Sequence, residues 1–110
     1  MTIDAARNLV LSHDERLERL AEIAVRVGLQ LRAGQELVMT APVDALPLVR
    51  RITAQAYKAG ASLVTTLFSD DESTLSRFRF APDGSFDKAS NWLYEGMAAA
   101  FRDGAARLAV

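Results

Sequence analysis

The sequence predicts an α/β fold, a three-layer βαβ-type mostly parallel sheet with helices on both faces. Three observations carry this reading. The apolar run Leu37-Val38-Met39-Thr40, ended by Pro42, is too short for a helix and rich in strand-compatible residues. A second such run, Ser62 to Phe68, follows a helix-length segment that ends in Ala59-Gly60, and neither of its faces is charged. A strand covered on both sides looks like this. Strand, helix, strand with so long a crossover is the βαβ unit, which joins parallel strands.

The elements follow in order. Ser12-His13-Asp14-Glu15 has the form of a capping box, in which the Ser hydroxyl accepts from the Glu15 amide and the carboxylate reaches back. Leu17, Leu20, Ala21, Ala24 and Val27 then recur at helical spacing and predict the buried stripe of a first helix. Glu15–Arg19 and Glu22–Arg26 are expected ion pairs on its outer side. Gly28 is the expected C′ residue. Ala33-Gly34-Gln35 is a tight turn that starts the first strand at Glu36.

Asp44 is the expected N-cap of the second helix, with Pro47 in its first turn, where a missing N–H costs nothing. Ala45, Val49, Ile52, Ala56 and Ala59 form its apolar stripe, widened by Leu48. Arg50, Arg51, Gln55 and Lys58 are assigned to solvent. After the second strand, Ser69-Asp70-Asp71-Glu72 begins a short helix with Leu75 and Phe78 as its apolar contacts. Ala81-Pro82-Asp83-Gly84 is a loop.

A last helix is expected from about Asp87 to Asp103, burying Trp92, Leu93, Met97, Ala100 and Phe101 and stopped by Gly104. Ala106 to Val110 reads as the opening of a further strand. Two readings stand: the front of a longer protein whose sheet is unfinished here, or a complete short last strand. An unfinished sheet leaves an open edge, so self-association is expected of the first.

The chain of 110 residues is expected to form a single α/β domain over 1–110. A net charge of −1 offers no basic footprint for nucleic acid. With no cysteine, disulfides, thiolate zinc sites and cysteine nucleophiles are excluded. Leu9-Val10-Leu11 is too short for a signal-peptide core, and Asp4 sits where a basic region should be. No stretch approaches the roughly 20 apolar residues of a membrane span, so the expected location is the cytoplasm.

Chemistry is sparse. His13 is the only histidine, and its neighbours Asp14 and Glu15 are explained by the helix dipole. No catalytic, cofactor-binding or metal-binding residue is assigned. The best candidate is a crevice lined by Asp44, Asp70, Asp71 and Glu72, because ligands of open α/β sheets bind beyond the carboxyl ends of the strands. Such carboxylates suit a substrate amine or a metal and repel a phosphate. Equally, Ser69 or Asp70 caps a helix whose dipole Asp71 and Glu72 complement. The first strand leads into Ala41-Pro42-Val43-Asp44 rather than a glycine-rich phosphate loop, and no serine has a nucleophile-elbow context.

The stretch Leu17 to Leu29, followed by Ala33-Gly34-Gln35-Glu36-Leu37-Val38, resembles the start of the thermophilic aminopeptidase family. That family includes the aminopeptidase T and S types, metal-dependent leucyl aminopeptidases. Ala41 to Arg50, Ala56 to Ala61 and Ser69 to Glu72 continue the resemblance in order, and it covers about Leu17 to Val110. It implies the N-terminal α/β domain of an enzyme that releases N-terminal residues from peptides. Such an enzyme carries two divalent metal ions, of zinc or cobalt type, in a later domain and forms a homodimer. None of the family's metal motifs has a counterpart here, so the chain itself is expected to be non-catalytic, walling the active-site chamber. The rival expectation is a stand-alone α/β domain that binds a ligand or a protein.

Overall fold

The structure, a computed structural model, describes residues 11–110. In chain order these form α1 (His13–Ile23), a π-helical turn (Ala24–Gly28), β1 (Glu36–Pro42), a 3-10 turn (Val43–Ala45) and α2 (Leu46–Lys58). Then come β2 (Leu63–Ser69), α3 (Asp71–Phe80), a second 3-10 turn (Asp83–Ser85), α4 (Asn91–Arg102) and β3 (Ala106–Ala109). Asp4 and the Leu9-Val10 part of the N-terminal patch lie outside the described residues.

The three strands form one sheet in the order β2-β1-β3, with both pairings parallel. The expected fold class is borne out. On one face of β1, Leu37, Met39 and Ala41 are buried against Val49, Ile52 and Ala56 of α2 and Ala21 and Val25 of α1. On the other face Val38 is buried, and α4 lies over it and over Thr65 and Leu67 of β2. The second face is covered more thinly. No residue of α4 is fully buried, and Trp92, expected inside, is 75% exposed. The last helix begins at Asn91 rather than near Asp87.

β2 is not covered on both sides as its uncharged sequence suggests. It is an edge strand, and Leu63 and Phe68 are about half exposed. Apolar composition reports what a strand tolerates, whereas burial depends on how many neighbours the fold supplies. α3 likewise buries none of its residues, Leu75 and Phe78 included. Phe78 instead stacks on Phe86, with ring centroids 5.9 Å apart.

The Ser12 capping box is formed: Ser12 Oγ accepts from the Glu15 amide at 3.1 Å, and the Ser12 amide donates to Glu15 Oε2 at 3.3 Å. That bond occupies Glu15 in place of the expected pair with Arg19. Glu22 and Arg26 do stand 4.0 Å apart, both exposed. The buried stripe of α1 is rotated from the expected one. Ala21 and Val25 point inward, while Leu20 and Val27 are 51% and 66% exposed. Small Ala21 lets α2 approach closely, and a π-helical turn then winds the end of the helix differently. Leu29 donates to the Ala24 carbonyl at 2.8 Å, and Gln30, not Gly28, takes the left-handed conformation with φ 49°.

Gly60 ends α2 where only glycine fits. Its φ is +99°, and an added Cβ would lie 3.0 Å from both Cα and Cβ of Ala33. The approach is fixed by the Gly34 amide, which donates to the Gly60 carbonyl at 2.8 Å.

Candidate functional site

The carboxyl ends of β1 and β2 lie side by side, with Pro42 in register with Ser69. Proline cannot extend the ladder, so β1 turns at once into the 3-10 segment that carries Asp44. β2 stops at Ser69, and Asp70 opens α3. The two strand exits therefore enclose a crevice of about 370 Å³ lined by Pro42, Val43, Asp44, Ser69, Asp70, Asp71 and Glu72. All four carboxylates singled out from the sequence meet there, and no basic side chain lines it.

Their local roles differ. Asp70 is the N-cap of α3: its Oδ2 accepts from the Ser73 amide at 3.2 Å and from Ser73 Oγ at 2.8 Å. Asp71 and Glu72 lie in the first turn, where the helix dipole favours negative charge. Asp44, expected to cap α2, does not. The N-cap position is Ala45, without any side-chain cap bond, because the 3-10 turn moves the helix start beyond the reach of the Asp44 carboxylate. Asp44 is left exposed to the crevice. An open, wholly acidic crevice attracts cationic groups and repels phosphates.

Among the described residues, no three His, Asp or Glu side chains group so as to hold a metal ion. His13 is exposed at the first position of α1. Its neighbours are engaged elsewhere, Asp14 with Arg51 at 3.1 Å and Glu15 with the Ser12 amide. The donor set does not fit a metal centre.

Two features escaped the sequence reading. Arg51 and Gln55, assigned to solvent, face α1, where they bond Asp14 and Glu18. The signal was present in the spacing, since each pair is one helical turn apart and of complementary chemistry. The second is an apolar groove of about 270 Å³ between α4 and the sheet, lined chiefly by Val38, Leu67, Trp92, Leu93 and Met97. Core and open groove carry the same residue types, so only the packing tells them apart.

Comparison with known proteins places this arrangement. Residues 13–110 match the family model described as thermophilic metalloprotease (M29). Aminopeptidase T of Thermus thermophilus is 55% identical over 94 residues, which make up 86% of this chain and 23% of that protein. Aminopeptidase T of Thermus aquaticus is 52% identical over 96 residues, 87% of this chain and 24% of that one. The solved structure of wild-type AmpT from Thermus thermophilus superposes with a TM-score of 0.85 at 52% sequence identity, covering 89% of this chain and 25% of that chain. This chain thus spans about a quarter of the length of these relatives.

Proposed function

The chain belongs to the thermophilic metalloprotease (M29) family, and from that membership we propose that residues 1–110 serve as the N-terminal α/β domain of a metal-dependent aminopeptidase. The enzyme would release N-terminal residues from peptides. The observation that carries this reading is the 55% identity to aminopeptidase T, sustained over 86% of the chain.

In that role the domain is a wall of the active-site chamber and not the seat of the reaction. The metal ions of such an enzyme, two of zinc or cobalt type in this proposal, are held by ligands outside residues 11–110, since the donors described here do not group as a metal centre requires. What this chain contributes is charge and shape. Asp44, Asp71 and Glu72 give the crevice a negative potential that favours the ammonium group of a peptide's first residue. Asp70 adds to that potential while its Oδ2 stays bound to Ser73. Cytoplasmic location and homodimeric assembly belong to the same proposal, and the assembly rests on the family resemblance. Among the described residues, no helix is long and apolar enough to cross a membrane.

The test is an assay on leucyl-p-nitroanilide with added zinc or cobalt, run on residues 1–110 and on the whole product of the natural gene. The expected result is metal-dependent turnover by the whole product and none by residues 1–110. Turnover by residues 1–110 that survives replacement of His13 would overturn the non-catalytic role. A gene that stops after Val110 would favour the stand-alone binding domain.

A further inference from the structure

The segment that joins α3 to α4 folds around one arginine. Arg77 of α3 donates through Nη2 to the Lys88 carbonyl at 3.0 Å and to the Ser85 carbonyl at 3.4 Å. Its guanidinium also lies over the Phe86 ring, 5.8 Å from the centroid, and that ring stacks on Phe78 of α3. Two carbonyls and a ring face thus hold the charged group in place, although α3 buries none of its residues. Nε and Nη1 of Arg77 meet no acceptor among the described residues.

Beside this arginine lies a pocket of about 520 Å³, lined by Arg77, Ser85, Lys88, Ala89, Ser90 and Tyr94. Two of these residues are cationic and none is acidic. Asp83, Asp87 and Glu95 are close in sequence, yet none of them lines the pocket. Neither Arg77 nor Lys88 forms an ion pair among the described residues. Two cations at one pocket repel each other, and an anion between them relieves that repulsion. Ser85 Oγ is committed to the Pro82 carbonyl at 2.7 Å, which leaves Ser90 and Tyr94 as hydroxyl donors. The two cations make the site. The first turn of α4, which Ser90 opens without a side-chain cap bond, adds the positive end of a helix dipole.

We propose that this pocket binds the terminal carboxylate of a short peptide, with Lys88 and the uncommitted N–H groups of Arg77 on its oxygens. A lone anion would leave most of about 520 Å³ to water, and a volume of this size is in the range that holds an organic ligand. The site is separate from the acidic crevice, since Arg77 stands about 10 Å along the axis of α3 from Asp70. The crevice suits an ammonium group and the pocket a carboxylate, so the two do not compete for one end of a ligand. Binding here uses only these side chains and does not depend on the aminopeptidase reading.

The test is an NMR titration of the isotope-labelled 110-residue chain with N-acetyl-trialanine, its carboxamide, acetate and inorganic phosphate. The acetyl group removes the ammonium and so keeps the probes out of the acidic crevice. The expected result is a saturable shift of the Ser85 to Ser90 and Tyr94 amides with the peptide acid, and binding about tenfold weaker for the carboxamide. Lys88→Gln keeps the backbone carbonyl that holds Arg77. It should weaken the peptide acid about threefold and leave the carboxamide unchanged. Equal affinity for acid and carboxamide, or indifference to Lys88→Gln in an otherwise unchanged spectrum, would overturn the proposal. Acetate or phosphate binding as tightly as the peptide acid would overturn it too, because the pocket would then read charge and no peptide. Should Lys88→Gln fail to fold, the comparison of acid with carboxamide on the natural chain decides alone.

Discussion

Gln55 of α2 donates through Nε2 to Glu18 Oε1 of α1 at 2.6 Å, and Gln55 is the buried polar side chain of the described core. One turn earlier on both helices, Arg51 Nη2 donates to Asp14 Oδ1 at 3.1 Å, and Arg51 Nε stands 3.6 Å from Glu18 Oε2. The bonded positions rise together along the two helices, so α1 and α2 run in the same direction. These polar rungs flank the apolar seam of Ala21, Val25, Val49 and Ile52.

Gln55→Ala should therefore destabilise the chain by about 1–2 kcal/mol, the range for a bond to a charged group whose partner keeps some access to water. Urea unfolding of Gln55→Ala, Glu18→Ala and the double variant measures the coupling. A coupling energy near zero would mean that the 2.6 Å contact contributes shape and no net stability.

Gly60→Ala and Gly104→Ala separate two costs that usually travel together. Both glycines have strongly positive φ, +99° and +94°. Only at Gly60 would the added Cβ meet the backbone of Ala33, at 3.0 Å, whereas nothing lies within 4 Å at Gly104. Gly104→Ala should cost about 1–2 kcal/mol, from backbone strain alone. Gly60→Ala should cost more, because Ala33 must also move. Thermal melts that rank the two equally would show that Ala33 yields freely.

Asp70→Ala should cost about 1 kcal/mol, since it removes a formed N-cap. Asp44→Ala should stay within about 0.5 kcal/mol, as for a surface residue that makes no cap bond. Denaturant melts of the two variants compare them directly. An equal loss at Asp44 would place its carboxylate in a bond that the present geometry does not contain.

Trp92, the single tryptophan, should fluoresce like indole in water and be quenched readily by iodide, because it is 75% exposed on α4. Emission shifted to the blue and protected from iodide would mean that α4 packs more deeply on the sheet, or that another surface covers it.

Much of the crevice was legible in the residues. Pro42 after an apolar run and Asp70-Asp71-Glu72 after another place acidic groups at two strand ends, and parallel pairing then brings those ends together. The missing element was the 3-10 turn at Val43–Ala45. It shifts the N-cap of α2 by one residue, from Asp44 to Ala45, which turned Asp44 from a cap into an exposed wall of the crevice. A cap depends on a bond across one turn, so a single extra turn of another helix type is enough to remove it.

The sequence by itself determined what depends on short-range periodicity and on bonds within one turn. These are the kinds and order of the main elements, the cap at Ser12, a cap at either Ser69 or Asp70, and the α/β class that a strand, a long crossover and a second strand impose. Tertiary structure alone decided which stripe of α1 is buried, whether Gln55 faces water or Glu18, and that β2 is an edge while β1 takes the centre. The physical reason is that an amphipathic pattern specifies which residues tolerate burial, not which neighbour buries them. Leu20 and Ala21 both suit a core, but only Ala21 lies where α2 can come close, so Leu20 remains 51% exposed.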